Sequence, residues 1–156
     1  MDMTSKPVSP LEGLAAHYLA MPPVAGLKPA IDKWQDGQLR LLAPLTANVN
    51  DKGCAFGGSL CSLMTLACWG LVNLELAQQG IDADIFVADS RVRYLKPVFE
   101  DLRVEACFDD AGERVALLDA LRRQGRASIR LKGQTLLTDG GVAATFVGRY
   151  VAIVRA

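Results

Sequence analysis

The sequence predicts an α+β domain in which an antiparallel sheet wraps around one long central helix. No charged residue occurs from Ala55 to Val72, and the apolar residues of this run recur at helical spacing. Four segments with the alternating pattern of strands follow it. The chain of 156 residues can bury a core of its own. We expect a single domain over 11–156, preceded by an N-terminal tail over 1–10.

Before the long helix, the pattern predicts one short helix and one strand. Residues 11–21 have amphipathic helical spacing, and Pro22 and Pro23 stop the helix. The segment from Gln38 to Val49 is rich in Leu and Thr, which predicts a strand in which Pro44 marks a bulge or an edge position.

The long helix ends at the glycine signal Gln78-Gln79-Gly80 and is apolar on nearly every side. It passes the crude length test for a membrane span. Polar residues inside it, and amphipathic strands that need an apolar partner, favour the core of a domain instead. A helix of roughly 22 residues is about 33 Å long, so strands can curl around it.

The second half of the chain predicts four strands and an inserted helix. A strand from Asp84 to Val98 slips phase near Asp89-Ser90. The remaining elements are a strand over Leu102 to Phe108, a helix over Glu113 to Arg123 stopped by Gly125, and strands over Ala127 to Leu137 and Val142 to Val154 joined by a Thr138-Asp139-Gly140-Gly141 hairpin turn.

Composition excludes several classes of function. Seventeen basic and seventeen acidic residues cancel, so no global field recruits nucleic acid. The four cysteines form no C-x-x-C pair and have no histidines nearby, which argues against a metal site and for free thiols in a reducing compartment. The first thirty residues lack the pattern of a signal peptide, so we expect a cytoplasmic protein.

The segment from Asn50 to Ser59 is the strongest functional signal. A polar, turn-forming cluster leads through Gly57 and Gly58 into the apolar helix. Such a junction presents free backbone N–H groups at the positive end of the helix dipole, where an oxyanion or a polarised carbonyl can bind.

The chain resembles the thioesterases of the YiiD C-terminal type, which have the hotdog fold. The resemblance is carried by Asn48 to Leu60, by Cys68-Trp69-Gly70-Leu71, by Gly125 to Ile129 and by Phe146 to Ala152. It implies homodimers, or dimers of dimers, whose sheets join edge to edge. It also implies hydrolysis of acyl-CoA or acyl-carrier-protein thioesters without a cofactor, the coenzyme A moiety being part of the substrate. Many hotdog thioesterases carry His-Gly-Gly at the helix start, where this chain has Phe56-Gly57-Gly58, and often an Asp or Glu about nine residues later, where it has Thr65.

Five residues are candidates for catalysis. Gly57 and Gly58 would supply the amides that hold the carbonyl oxygen, or would merely allow close packing. Asp51 would be the general base, or a turn-capping aspartate. Asn50 would orient water or the carbonyl, or occupy a turn. The Thr65 hydroxyl would reach a pocket water, although bonding back to its own helix is the commoner arrangement.

Four residues are candidates for substrate binding: Phe56, Ser59, Arg93 and Arg126. Ser59 would donate to the substrate or, more commonly, cap the helix. The two arginines would hold the phosphates of coenzyme A or belong to solvated strand faces.

The single histidine, His17, precedes the predicted core, which disfavours a histidine-dependent dehydratase or a Ser-His-Asp hydrolase. The open alternative to a thioesterase is a non-catalytic hotdog module that binds acyl thioesters or has a regulatory role.

Overall fold

The elements occur along the chain in the following order in the computed structural model, which describes residues 8–156. They are α1 (Pro10–Ala20), α2 (Pro22–Ala25), β1 (Ala30–Gln35), β2 (Gln38–Ala43), a 3-10 turn (Leu45–Ala47), α3 (Gly57–Gln78), β3 (Ala83–Tyr94), β4 (Leu102–Phe108), α4 (Ala111–Gln124), β5 (Arg126–Leu136) and β6 (Val142–Val154). Residues 1–7 of the expected tail lie outside the described residues.

One antiparallel sheet of six strands, in the order β1-β2-β4-β5-β6-β3, packs on α3. The helix has 22 residues and buries apolar side chains such as Leu63, Met64 and Leu71 completely or almost completely. By length and composition α3 could cross a membrane, yet 61% of its most apolar window is buried inside the domain. The prediction of a long central helix wrapped by an antiparallel sheet is therefore confirmed.

The prediction for the segment before α3 is partly wrong. The strand ends at Ala43, and Pro44 begins a 3-10 turn instead of lying inside a strand. Proline has no N–H to give to a sheet ladder, which explains why the strand stops there. A further strand, β1, pairs with β2 at the edge of the sheet.

The predicted elements after α3 are present with shifts of a few residues at their ends. β3 carries its phase slip as an irregularity between Val87 and Asp89, as predicted. It ends at Tyr94, before Pro97. Gly125 ends α4 in the left-handed conformation, with φ of 72°. Within the described residues β3 pairs only with β6, so its other side is a free edge of this sheet.

Helix α1 lies across α3 at a glycine. Tyr18 donates a hydrogen bond to the carbonyl of Leu66 at 2.7 Å. A side chain at Gly70 would collide with the Tyr18 hydroxyl and would lie 2.9 Å from Leu39 Cδ2. Pro22 and Pro23 end α1 as expected, but they also begin the short helix α2.

Candidate active site

Two backbone amides at the start of α3 have no protein acceptor within residues 8–156. The N-cap residue is Phe56, in an extended conformation with φ of −64° and ψ of 129°, and no side chain caps the helix. Its carbonyl accepts from the N–H of Ser59 at 2.9 Å and from that of Leu60 at 3.2 Å. The N–H groups of Gly57 and Gly58 therefore remain free at the positive end of the helix.

The approach to this helix end is fixed by the main chain. Phe56 donates its N–H to the carbonyl of Asn48 at 2.7 Å, and Ala55 donates to that of Val98 at 2.8 Å. The buried Asn48 amide donates to the carbonyls of Leu27 and Pro44 at 2.9 and 2.8 Å. The free amides thus stand on a rigid support, in which Asn48 had no predicted role.

Tyr94 joins the site from β3, and nothing in its local sequence indicated this. Its hydroxyl donates to the Gly57 carbonyl at 3.0 Å. A side-chain carbon at Gly57 would lie 3.5 Å from its ring atoms, an ordinary van der Waals contact, so the ring packs on this residue without excluding alanine. Burial, and then the neighbouring Cys61 thiol, raise the pKa of Tyr94 above its usual value, and the hydroxyl stays protonated at neutral pH.

The Phe56 ring covers Gly58. It remains 57% exposed, yet a side-chain carbon at Gly58 would meet its ring carbons at 3.0 and 3.1 Å. The ring is thus an apolar lid beside the free amides. It cannot transfer a proton.

Asn50 and Asp51 lie in the turn before α3. The Asn50 side-chain oxygen accepts from the N–H of Lys52 at 2.8 Å and from that of Cys54 at 3.2 Å, an arrangement that orders the turn. The Asp51 side chain is 83% exposed, and its carboxylate lies 3.1 Å from the Lys52 ammonium. The Asp51 carboxylate faces solvent.

The structure shows the expected backbone hydrogen bond of Thr65 but not the expected helix cap at Ser59. The Thr65 hydroxyl donates back to the Cys61 carbonyl at 2.7 Å, the commoner arrangement, and so lies on the same helix face as Cys61. Ser59 is buried at the third position of α3 and does not cap the helix, because the N-cap is Phe56. The expectation of a serine cap is wrong.

Arg93 and Arg126 lie far apart in this chain. Arg93 pairs with Thr145 of β6, and Arg126 pairs with Ile153. These positions on β6 are eight residues apart, 153 minus 145, or about 27 Å along a strand. Both arginines are exposed, and neither forms an ion pair with a residue of the described part of the chain.

Metal ligation has no basis within residues 8–156, where no group of three His, Cys, Asp or Glu side chains could hold an ion. The four cysteines are free thiols. Burial, and then the nearby Cys107, raise the pKa of the Cys68 thiol far above its usual value, so this cysteine is an inert core residue.

Comparisons with known proteins identify the family and the fold of this chain. The family model described as "Putative thioesterase (yiiD_Cterm)" matches residues 18–154. A crystal structure described as "the putative thioesterase from Shewanella oneidensis" is 32% identical, with a TM-score of 0.82 over 92% of this chain and 97% of that one.

Two further structures have the same fold. A protein of unknown function from Chlorobaculum tepidum is 26% identical, with a TM-score of 0.85 over 95% of this chain and 98% of that one. A Pseudomonas aeruginosa protein described as "Probable Thioesterase" is 24% identical, with a TM-score of 0.78 over 96% of this chain and 100% of that one, and indicates the fold alone.

Proposed function

This chain belongs to the thioesterase family of the YiiD C-terminal type, a hotdog-fold family, and we propose that it hydrolyses acyl thioesters of coenzyme A or of acyl-carrier protein. The observation that carries the proposal is the pair of free amides at Gly57 and Gly58, held on a rigid support at the start of an uncapped helix.

The proposed reaction begins with the thioester carbonyl between these two amides. Water attacks the carbonyl carbon, and negative charge develops on the oxygen that the N–H groups and the helix dipole stabilise. The tetrahedral intermediate then collapses, and the carbon–sulfur bond breaks. The products are the carboxylic acid and the thiol, and the proton that Asp51 takes from water returns to the departing sulfur.

The activation of water by Asp51 is the step that needs a second protomer. Asp51 is exposed in one protomer, so the base becomes effective only where another chain covers the turn from Asn50 to Cys54. The free edge of β3, with exposed Phe86 and Val87, supports a homodimer in which two sheets join. Antiparallel pairing of two β3 edges would bring the partner's Arg126 toward Arg93, where both could bind phosphate.

A non-catalytic module that binds acyl thioesters is the second candidate. Phe56 at the histidine position and Thr65 at the acid position favour it, because neither side chain is a base and the Thr65 hydroxyl is bonded to its own helix. This module would keep the free amides and bind the carbonyl without activating water.

Hydrolysis of a panel of acyl-CoA and acyl-carrier-protein thioesters tests the proposal. Wild type is compared with Asp51→Ala and Asn50→Ala, and with Asp119→Ala, an exposed carboxylate on α4, as control. We expect turnover by wild type and by the control, and loss in the two site variants. Turnover unaffected by both site changes would remove these assignments, whereas no turnover with any acyl chain would favour the binding module.

Light scattering tests the dimer separately. We expect a dimer, or a dimer of dimers, at micromolar concentration. A monomer there would contradict the covered site that the proposed reaction needs.

A further inference from the structure

The outer face of the sheet, the side turned away from α3, carries a surplus of positive charge on β3, β5 and β6. The alternate residues of these strands that pack into the core include Val92, Ile129 and Tyr150, so their neighbours point outward. Of the outward residues two are acidic, Asp84 and Asp89, and six are basic: Arg91, Arg93, Arg126, Arg130, Lys132 and Arg149. The whole chain has equal numbers of acidic and basic residues, so the charge is concentrated on this face.

The two outward acids are already paired. Asp89 lies 2.9 Å from Arg149, and Asp84 lies 2.8 Å from Arg155. Lys132 is paired with an acid in the turn before α4. Four arginines of this face therefore form no ion pair with any residue from 8 to 156: Arg91, Arg93, Arg126 and Arg130.

One of these arginines stands beside a like charge. Arg130 on β5 is directly opposite Arg149 on β6. Like charges at opposite positions of neighbouring strands destabilise a sheet. Glu113 lines a cleft with both arginines, but its Oε2 is buried and its carboxylate forms no ion pair with either. The fold thus keeps a repulsion that an anionic partner would relieve.

The four unpaired arginines lie along a diagonal, which we call the basic strip. Arg126 pairs with position 153 of β6 and Arg93 with position 145, so the strip is about 27 Å long. It crosses three neighbouring strands, a width of about 10 Å. The phosphates of coenzyme A lie at one end of that molecule and cannot span it, whereas the surface of a protein can.

Apolar side chains of β6 lie between the arginines. Val147 and Ile153 point outward and are 38% and 37% exposed, and Val151 between them is partly buried. Arginine together with exposed apolar side chains is typical of protein–protein interfaces, and guanidinium groups bind carboxylates bidentately. The phosphates of a nucleic acid would leave the apolar side chains without a partner. A second copy of the same face would repel the first, so an acidic protein fits best.

The basic strip ends close to the free amides. Arg93 immediately precedes Tyr94 on β3, and the Tyr94 side chain, on the opposite face, donates to the Gly57 carbonyl at 3.0 Å. A substrate arm that extends from a protein on the strip would therefore need only to pass the end of β3 to reach the start of α3.

We propose that the basic strip docks the acyl-carrier protein, and that carrier thioesters are preferred over thioesters of coenzyme A. The proposal rests on the proposed function and chooses between its two classes of substrate. Acyl-carrier proteins are acidic and hold the acyl group on a flexible arm. Complementary charge accelerates association without requiring a tight complex, which suits a carrier that must leave after each turnover.

The test compares kcat/KM for octanoyl-acyl-carrier protein and octanoyl-CoA. Arg91→Glu and Arg130→Glu should each lower the value for the carrier substrate about tenfold and change that for octanoyl-CoA less than twofold. Lys33→Glu makes the same charge change at the opposite edge of the sheet and should alter neither. Equal losses on both substrates would assign the strip to the phosphates of coenzyme A, and no loss on either would remove it; both results overturn the proposal.

A binding measurement separates this inference from the proposed function. The Kd of fluorescently labelled holo-acyl-carrier protein, measured by anisotropy, reports docking even if no thioester is hydrolysed. We expect binding that weakens about tenfold in each arginine variant, and that weakens as salt is added. Carrier binding without turnover would support docking and refute hydrolysis. Turnover of octanoyl-CoA without carrier binding, or tighter binding of a labelled DNA duplex than of the carrier, would overturn the docking proposal.

Discussion

The Tyr94 hydroxyl donates a hydrogen bond to the Gly57 carbonyl across 37 residues of sequence, and so ties the end of β3 to the first residue of α3. The Gly57 carbonyl and the Gly58 N–H belong to the same planar peptide group, so this bond orients one of the two free amides. Tyr94 is therefore a positioning residue for the proposed carbonyl site.

Tyr94→Phe should lower kcat about fivefold and leave KM nearly unchanged, because the ring still packs on Gly57 while one hydrogen bond of about 1 kcal/mol is lost. Steady-state kinetics on the best substrate of the acyl-CoA panel measure this. Equal kcat values for the two proteins would show that the bond does not position the amides.

Gly70→Ala should destabilise the protein by about 1–3 kcal/mol, because the added carbon collides with Tyr18 and Leu39 where α1 crosses α3. Gly13→Ala is the matched control on α1. Nothing lies within 4 Å of its added carbon, so helix propensity alone should stabilise the protein by about 0.5–1 kcal/mol. Urea unfolding measures both, and a neutral Gly70→Ala would mean that α1 does not dock as described.

Removing Arg114 from its ion pair with Glu75 should lower the stability more than removing the charge of Glu75. Glu75 is 4% exposed and its Oε1 lies 2.7 Å from Arg114 Nε, without hydrogen-bond geometry, whereas Arg114 is 45% exposed. Arg114→Met leaves a buried carboxylate unpaired and should cost about 3 kcal/mol. Glu75→Gln leaves only a solvated guanidinium and should cost less. Equal losses in urea unfolding would contradict this.

Stability should fall in alkali because of buried tyrosines. Burial, and then the neighbouring Cys68 thiol, raise the pKa of Tyr150 far above its usual value, and its hydroxyl donates to the Thr65 carbonyl at 2.7 Å. Above about pH 10 the unfolded chain releases this proton and the native state retains it, so the free energy of unfolding decreases.

The measurement is the slope of the free energy of unfolding against pH. Each such group contributes about 1.36 kcal/mol per pH unit, so Tyr150→Phe should make the decline above about pH 10 shallower by roughly one proton, although it lowers stability at neutral pH. Tyr94→Phe, at a half-exposed position, should change the slope much less. If the slope in Tyr150→Phe equals that of the wild type, the Tyr150 hydroxyl is not held protonated in the native state.

Elements with a strong apolar period were predictable from sequence. The uncharged run gave α3 nearly to its ends, and the alternation of Val104 and Ala106 with polar residues gave β4. β1 was missed because it is an edge strand with mostly exposed residues and adjacent charges at Asp32 and Lys33, so burial imposes no clear alternation on it.

Of the candidate site, only the residues that are close together in sequence were predictable. Gly57 and Gly58 stand where a helix begins, and that junction is visible in the sequence. The roles of Tyr94 and Asn48 arise from contacts across 37 and 21 residues, which no local pattern encodes.

Gly57→Pro compared with Gly57→Ala tests the role of the free amides most directly. Proline removes the N–H but suits the first position of a helix, and the extended Phe56 before it is compatible with proline, whereas alanine keeps the N–H. With both variants folded by circular dichroism, kcat for thioester hydrolysis should fall about 10²- to 10³-fold in Gly57→Pro relative to Gly57→Ala. Equal kcat values in the two variants would contradict carbonyl binding by the Gly57 amide.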